Sequence, residues 1–431
     1  MKILFFSLTG QRDKLVDNHI AKFLREMGHE VYVHNYASAA TQSVPYIKPD
    51  VIVHPMAGAD YKLNFLRYCK EWGIVNIVRR GEAGASRESL AKMDKDRQTI
   101  TIGLEDYAPY VDLELVWGQE FKDILVEHGK MPADRLKVCG AFAFDLYFLP
   151  QNWRAVNETP HKTILFATGW SCADGMPDLV ECGLPENSSY QNVLYNRHRA
   201  GRDLWIESIK RLITELPKKL FSFELKVRPG ERTDEYRKAF GDTVKIYPEQ
   251  FPAIDALKMA DVLVHTGSTM AIEAHLLAIP SINFYNINPD PLLASVCPMA
   301  DTYDELKTFL ETVDIRKRNI NERVYQELQD HLYGKIDGKA CQNAAEYIHE
   351  HIKDLDIETN IPDQWPKDAR YQEIGIHLER EYGDRQWTCP CCKNGYFANE
   401  NERITKCPYC GMRVKLVGLN GVMLNTTTVC K

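Results

Sequence analysis

The chain has 431 residues, which is enough for two or three domains with hydrophobic cores of their own. Hydrophobic residues make up 44% of it and charged residues 26%, the balance of a soluble globular protein. The formal net charge of −7 argues against a protein that binds nucleic acid over its whole surface, although it does not exclude a local basic patch.

The start of the chain and the distribution of cysteines indicate a cellular compartment. The start, MKILFFSLTGQRD, has too short an apolar run for a signal peptide, and no stretch reaches the roughly 18 apolar residues of a membrane-spanning helix. Five of the twelve cysteines lie between residues 389 and 410. This distribution favours a reducing cytoplasm and one metal site.

Strands and helices alternate through the first part of the chain. Short apolar segments predict six strands: KILFFS, EVYVHN, DVIVHP, IVNIVRR, LELVWG and LKVCG. Helical spacing predicts a helix from about Asp17 to Met27, which Gly28 ends, and a second helix over YKLNFLRYCKEWG. Such alternation indicates a parallel sheet covered by helices on both faces.

The pattern restarts after residues 147–160, a polar segment with prolines that we interpret as a linker. The next strands are predicted over TILFATG, FELKVRPGE, TVKIYP, DVLV and SINFYN, and the helices over RDLWIESIKRLITEL, PAIDALKMA and MAIEAHLLA. We place one lobe at 1–155, another at 156–315, and a helical tail and connector at 316–385. In two such lobes, ligands are expected in the cleft, beyond the carboxyl ends of the strands.

Four cysteines near the carboxyl terminus have the spacing of a metal site. Cys389 and Cys392 form one C-x-x-C pair, and Cys407 and Cys410 form another. Four thiolates on two tight turns close a tetrahedron around zinc and leave no open position, so the predicted zinc is structural. A redox dithiol is the alternative. We predict a zinc ribbon at 386–416.

The segment DVLVHTGSTMAIEA predicts an anion site in the second lobe. A strand ends at a turn containing Gly267, and Ser268 or Thr269 then begins a helix. Free N–H groups and small hydroxyl residues at a helix start bind anions, although an ordinary connection with a serine cap is the alternative. Glu273 lies one turn inside this helix, where its carboxylate can accept hydrogen bonds from the two hydroxyls of a ribose.

Two basic residues end another strand of the same lobe. KVRPGE places Lys226 and Arg228 there, although a basic residue at a strand terminus is commonly just solvated. Combined with the helix start, these cations would hold a phosphate group. The predicted nucleotide site consists of Lys226, Arg228, Gly267, Ser268, Thr269 and Glu273.

The segments KVRPGE, ADVLVHTGSTMAIEAHLLAIPSINF and VWGQEFKDILVEHGKMPADRLKVCGAFAFD resemble bacterial surface-polysaccharide glycosyltransferases of the GT-B fold. Relatives of that family include capsule and lipopolysaccharide Kdo transferases, sialyl- and polysialyltransferases and teichoic-acid glycerophosphotransferases. The resemblance covers about residues 1–350 and not the cysteine-rich segment. It implies an α/β protein with two Rossmann-like parallel-sheet lobes facing a cleft, the first for the acceptor and the second for the nucleotide sugar.

The resemblance also implies an inverting transfer without a catalytic metal. Arg228 stands where the family usually has the histidine of a His-Pro pair, and arginine does not deliver a proton at neutral pH. Related Kdo transferases use a glutamate in a glycine-bearing loop as the general base, which implies this role for Glu82 in VRRGEAGASRE. His54 and His19 are rivals, because a histidine with a pKa near neutrality can act as a base.

We therefore expect a glycosyltransferase with a nucleotide-sugar donor and a surface-polysaccharide or lipid-linked glycan acceptor. A CMP-sugar such as CMP-Kdo is the first choice of donor, with a UDP-sugar next. We expect a cytoplasmic protein, with the inner face of the membrane as a candidate location. Peripheral membrane proteins and polysaccharide-assembly enzymes are its candidate partners.

Two alternatives stay open. One is a sugar-nucleotide 2-epimerase of the same fold. Such epimerases have a characteristic turn after the first strand, and SLTGQRDK resembles that turn only weakly. The other is a protein in which the zinc ribbon binds a partner or nucleic acid on a degenerate two-lobed scaffold. The basic and aromatic residues of the ribbon are also normal for a small solvated domain, so nucleic acid is not the expected partner. We favour oligomerisation or docking to an assembly enzyme.

Overall fold

The structure is a computed structural model, and its strands form two six-stranded parallel sheets and two short hairpins. The residues described are 1–7, 11–35, 44–55, 60–81, 86–91, 102, 107–153, 159–170, 173, 189–228, 231–248, 251–285, 291–363, 384–388, 395–399, 404–406 and 413–415.

The first sheet has the strand order β2-β1-β3-β4-β5-β6, and all five pairings are parallel. Its strands are β1 (Lys2–Ser7), β2 (Glu30–Asn35), β3 (Val51–His54), β4 (Val75–Arg79), β5 (Leu113–Val116) and β6 (Leu136–Val138). Its helices are α1 (Gln11–Glu26), α2 (Asp60–Glu71), α3 (Arg87–Ala91), α4 (Gln119–Glu127) and α5 (Phe142–Asp145). Strands β3, β4 and β5 are buried throughout, as expected for apolar strands covered on both faces.

The second sheet has the order β12-β11-β10-β7-β8-β9 and is also parallel. Its strands are β7 (Lys162–Ala167), β8 (Phe221–Lys226), β9 (Lys245–Tyr247), β10 (Val262–His265), β11 (Ser281–Phe284) and β12 (Met299–Ala300). Its helices are α6 (Ser189–Glu215), α7 (Thr233–Phe240), α8 (Ala253–Met259), α9 (Met270–Leu276), α10 (Pro291–Ala294) and α11 (Tyr303–Thr312).

After the second sheet the chain returns to the first lobe. Helix α12 (Glu322–Glu327) continues into a π-helical turn, Leu328–Tyr333, and helix α13 (Ala340–Ile352) then packs against α1. The Asp145 carboxylate accepts the Cys341 N–H at 2.6 Å and so holds the start of α13. A Cβ at Gly118 would lie 2.3 Å from the His331 carbonyl oxygen, so the two segments meet backbone to backbone.

The carboxyl-terminal hairpins are β13 (Asp384–Thr388) with β14 (Gly395–Asn399), and β15 (Ile404–Lys406) with β16 (Arg413–Lys415), both antiparallel. Strand β14 lies beside β2, at the edge of the first sheet. In the described part of the chain, no helix is both long enough and apolar enough to cross a membrane.

Candidate active site

The strand order of the second sheet reverses beside β7. From β7 the chain adds β8 and β9 on one side and then β10, β11 and β12 on the other. The connections after β7 and β10 therefore diverge, and a crevice opens between their carboxyl ends, where open parallel sheets bind ligands. Residues 168–170 and 266–269 lie at this switch point, next to the end of β8.

Most main-chain N–H groups before α9 have partners within the protein. Gly267, with φ of +73°, donates its N–H to Asn283 Oδ1 at 3.0 Å, and Ser268 donates to His265 Nδ1 at 3.1 Å. Met270 N–H donates to Ser268 Oγ at 3.2 Å, so Ser268 supplies the hydroxyl that caps this helix start. These bonds fix the turn but leave fewer N–H groups for an anion than the sequence suggests.

Thr269 and Thr266 retain unused polar groups. Thr269 occupies the cap position of α9 without a side-chain capping bond, and no described residue accepts its N–H. The Thr266 hydroxyl is buried and has no hydrogen-bond partner within the described part of the chain. Among the described residues of this turn, the Thr269 N–H and the buried Thr266 hydroxyl are therefore polar groups without a hydrogen-bond partner.

His265 lies beneath the turn as a neutral ring. Burial lowers its pKa to about 3. Because Nδ1 accepts the Ser268 N–H, the ring proton lies on Nε2, which is 3.2 Å from Cys297 Sγ. Burial raises the pKa of the Cys297 thiol to about 12, so the pair supports the turn and is not an activated nucleophile.

Glu273 is buried, with 3% of its surface exposed, and points to the junction of the lobes. It accepts a hydrogen bond from the Tyr147 hydroxyl, and Arg12 of α1 lies near enough to act on its charge. Burial raises the pKa of Glu273, while Arg12 and the Tyr147 hydroxyl lower it. Its Oε2 has no hydrogen-bond partner among the described residues.

The two basic residues of the predicted site differ in exposure to solvent. The Lys226 side chain is buried, and its Nζ donates to the Val227 carbonyl oxygen at 2.6 Å. Arg228 is exposed, and its main-chain N–H donates to Thr168 Oγ1 at 2.8 Å. Arg228 is thus the cation with a side chain open to a ligand, next to the switch point.

Sequence reasoning assigned no role to Glu231 or Tyr147. Glu231 is buried, accepts the Trp170 N–H at 2.7 Å and also accepts a hydrogen bond from Tyr236. Burial raises the pKa of Glu231 to about 7. Tyr147 lies in the segment that we interpreted as a polar linker, yet its side chain is buried beside α9. The contacts of Glu231 with Trp170 and of Tyr147 with Glu273 join residues far apart in the sequence, so no local pattern predicts them.

Two of the three candidate bases of the first lobe, His54 and His19, lie among the described residues. His54 ends β3 and is buried, with Nε2 3.1 Å from Asn76 Oδ1. Burial lowers the pKa of His54 to about 4, and its role as a base stays a prediction. His19 is half-buried against the Phe23 ring. Glu82 lies outside the described residues.

The same sheet edge carries buried ion pairs. Arg80 Nε lies 2.5 Å from Glu114 Oε1, and Arg79 Nε lies 2.7 Å from Asp17 Oδ1. Tyr107 completes the first pair by donating to Glu114 at 2.9 Å.

The predicted zinc ligands, Cys389, Cys392, Cys407 and Cys410, lie outside the described residues. Within the part of the chain that is described, no group of three or more histidine, cysteine, aspartate or glutamate side chains could hold a metal ion.

Two parallel-sheet lobes that face a cleft, with the chain returning to the first lobe, define an α/β protein of the GT-B type, as the sequence predicts. Among solved structures, the chain is similar to S. aureus MnaA in its co-structure with UDP, with 14% identity, a TM-score of 0.53, and coverage of 84% of this chain and 100% of that one. A UDP-N-acetylglucosamine 2-epimerase gives 14% identity, a TM-score of 0.51, and coverage of 85% and 99%.

The wall teichoic acid polymerase TagF gives 12% identity, a TM-score of 0.51, and coverage of 82% of this chain and 89% of that one. At these identities the likeness shows the fold. No protein-family model matches the chain, and no curated protein matches it.

Proposed function

We propose that the protein is a glycosyltransferase that transfers a sugar from a pyrimidine nucleotide sugar to a surface-polysaccharide or lipid-linked glycan acceptor. The observation that carries the proposal is a buried carboxylate with an unused oxygen: Glu273 Oε2 lies beside the switch point without a hydrogen-bond partner in the described chain. Such a group is costly in a folded protein unless a ligand completes it, and a ribose diol supplies the matching donors.

The other groups at the edge suit the phosphates of the donor. Arg228 would neutralise the leaving phosphate, and the free N–H and hydroxyl of Thr269 would donate to its oxygens. Lys226 bonds to a main-chain carbonyl and would contribute charge at longer range. A CMP-sugar such as CMP-Kdo remains the first choice of donor, and the UDP in the MnaA co-structure supports a UDP-sugar next.

In the first lobe, Glu82 is the proposed general base, and its buried rival His54 is less suited to that task because its pKa is low. The acceptor hydroxyl would lose its proton to the base and attack the anomeric carbon. The bond from that carbon to the donor's phosphate oxygen would break, the nucleotide would leave with the charge held by Arg228, and the carbon would be inverted without a catalytic metal. The four ribbon cysteines are proposed to hold a structural zinc.

The test is turnover with a panel of donors. Purified protein should hydrolyse or transfer sugar from at least one of CMP-Kdo, CMP-sialic acid and UDP-hexoses, with the same rate when EDTA is present. Glu273→Gln should act on the same donor with a KM raised roughly ten- to several-hundredfold. Inactivity of the parent toward the whole panel, with and without candidate glycan acceptors, would contradict the proposal.

A sugar-nucleotide 2-epimerase is the second candidate, and one contact favours it. Arg12 belongs to the segment SLTGQRDK and lies in the first turn of α1, where its charge acts on Glu273 across the junction of the lobes. One of the similar solved structures is a UDP-N-acetylglucosamine 2-epimerase by name, and MnaA was solved with UDP. Proton NMR of the protein with UDP-GlcNAc alone separates the candidates, because only an epimerase forms the epimer without an acceptor.

A further inference from the structure

Glu231 connects two loops at the carboxyl edge of the second sheet. It is 4% exposed and lies just after β8. Its Oε1 accepts the Trp170 N–H at 2.7 Å, and its Oε2 accepts the Tyr236 hydroxyl of α7. The Thr168 hydroxyl also donates to this carboxylate. One side chain therefore joins the loop after β7 to the start of α7.

Thr168 extends the connection to Arg228. Its Oγ1 accepts the main-chain N–H of Arg228 at 2.8 Å. On the other side of the loop, the Trp170 ring fills a space that only glycine leaves open on α6, since a Cβ at Gly201 would lie 2.5 Å from Trp170 Cζ3. The loop is thus fixed between α6 and Glu231, and Arg228 is fixed to the loop.

The charge on Glu231 changes near neutral pH. Burial raises its pKa to about 7, against the lowering effect of its hydrogen bonds and of Arg228. Among the described residues, the charge of Arg228 lowers the pKa of Glu231, and the titratable hydroxyl of Tyr236 contacts the carboxylate. On the far side of Trp170 lies the His198 ring of α6, with its centroid 6.2 Å from that of the indole.

We propose that Glu231 is a positioning residue of the donor site, which holds residues 168–170 and Arg228 in place and sets how strongly Arg228 attracts a phosphate. The inference rests on the proposed function, because it takes the ligand of this edge to be a nucleotide sugar. Both hydroxyl partners of Glu231 can rotate, so either protonation state keeps the contacts while only the charge changes. A neutral Glu231 leaves the Arg228 charge uncompensated, and phosphate binding is then tighter.

Calorimetric titration between pH 5.5 and 8.5 tests the charge effect. The probes are UDP-N-acetylglucosamine and CMP-N-acetylneuraminic acid, whose substituted phosphates do not titrate in this range. The parent should bind its preferred probe about three- to tenfold more weakly at pH 8.5 than at pH 5.5, with a midpoint near 7. Glu231→Gln, which mimics the neutral acid, should bind at the tighter level throughout.

Two further variants separate positioning from general damage. Glu231→Ala removes the acceptor of the Trp170 N–H, and the probe should bind about tenfold more weakly at every pH. Tyr236→Phe removes a hydrogen bond that lowers the pKa, so the midpoint should move upward. Glu224→Gln is the matched control: it changes a carboxylate that is 8% exposed and accepts Tyr247 Oη at 2.9 Å, and it should keep the parent profile.

Hydrogen–deuterium exchange tests the positioning role without any nucleotide. Main-chain amides of residues 168–170 and of Arg228 should exchange faster in Glu231→Ala than in the parent, and at the parent rate in Glu224→Gln. Unchanged exchange in Glu231→Ala, or a parent-like pH profile in Glu231→Gln, would overturn the inference. A parent that binds neither probe but shows the exchange difference instead contradicts the proposed nucleotide-sugar function and leaves the loop-positioning contacts supported.

Discussion

The carboxyl edges of the two sheets differ in how their charged side chains are paired. At the first, buried charges face each other: Arg80 pairs with Glu114, and Arg79 pairs with Asp17. At the second, neither Glu273 nor Arg228 forms an ion pair within 4 Å to another described residue. At the first edge Tyr107 completes the pair of Arg80 and Glu114, although the buried Arg79 Nη2 has no hydrogen-bond partner among the described residues. At the second, Glu273 accepts a hydrogen bond from Tyr147 but its Oε2 has no hydrogen-bond partner among the described residues, and Arg228 is exposed.

The difference separates structural charge from functional charge. A buried pair contributes little net stability but is very costly to break, because the remaining charge has no solvent. A buried group with an unused oxygen violates the usual satisfaction of polar groups, and for Glu273 we propose that a ligand supplies the missing hydrogen bond. Three sets of variants measure how the two edges differ.

The largest effect is expected from Arg80→Ala. Removal of this guanidinium leaves Glu114 buried without its cation and should lower the free energy of unfolding by about 3–5 kcal/mol. Arg228→Ala removes an exposed cation and should change that free energy by no more than about 0.5 kcal/mol, while kcat falls. Urea denaturation of both variants makes the comparison, and equal losses of stability would show that the two edges do not differ.

A second effect is expected in binding. Glu273→Gln removes the charge that would accept the ribose hydroxyls, so the donor KM should rise roughly ten- to several-hundredfold. The fold should survive, because burial raises the pKa of Glu273 and a neutral side chain is tolerated there. Calorimetry with the nucleotide is the direct measurement. Parent-like affinity in this variant would make Glu273 a structural residue.

The smallest effects distinguish the two hydroxyl residues before α9. Thr269→Ala together with Ser268→Ala should weaken nucleotide binding, with the larger share, about three- to tenfold, from Thr269. Ser268→Ala removes the oxygen that accepts the Met270 N–H and should lower the free energy of unfolding by about 0.5–1 kcal/mol. Binding isotherms and thermal melts of the single variants apportion the two effects, and a binding loss confined to Ser268→Ala would reverse the assignment.

The sequence predicts the sheets better than the helix starts. Strands such as β1 and β2 are continuous apolar runs, and the predicted segments match the observed bounds. Helix α1 is predicted to start near Asp17, but it starts at Gln11, because Asp13 and Lys14 are buried by tertiary contacts that no local pattern shows. Strand β12 has only two residues and is not predicted at all.

The site is predicted in position but not in detail. The turn before α9 and the carboxylate of Glu273 can be located from residue types alone. Residue types do not predict which N–H groups remain free. The Ser268 N–H donates to the ring of His265, whose orientation is set by packing. The contact of Glu273 with Tyr147 joins residues far apart in the sequence and depends on how the lobes meet.

The return of α13 to the first lobe affects how the protein is made. His29 Nε2 lies 2.9 Å from His349 Nδ1, a contact that spans 320 residues of chain. The ribosome must therefore complete the whole second lobe before the helix that covers α1 emerges. At about 5–20 residues per second, the first lobe waits on the order of 10–40 s with that face uncovered. The first lobe is thus completed only after the second lobe has been synthesised.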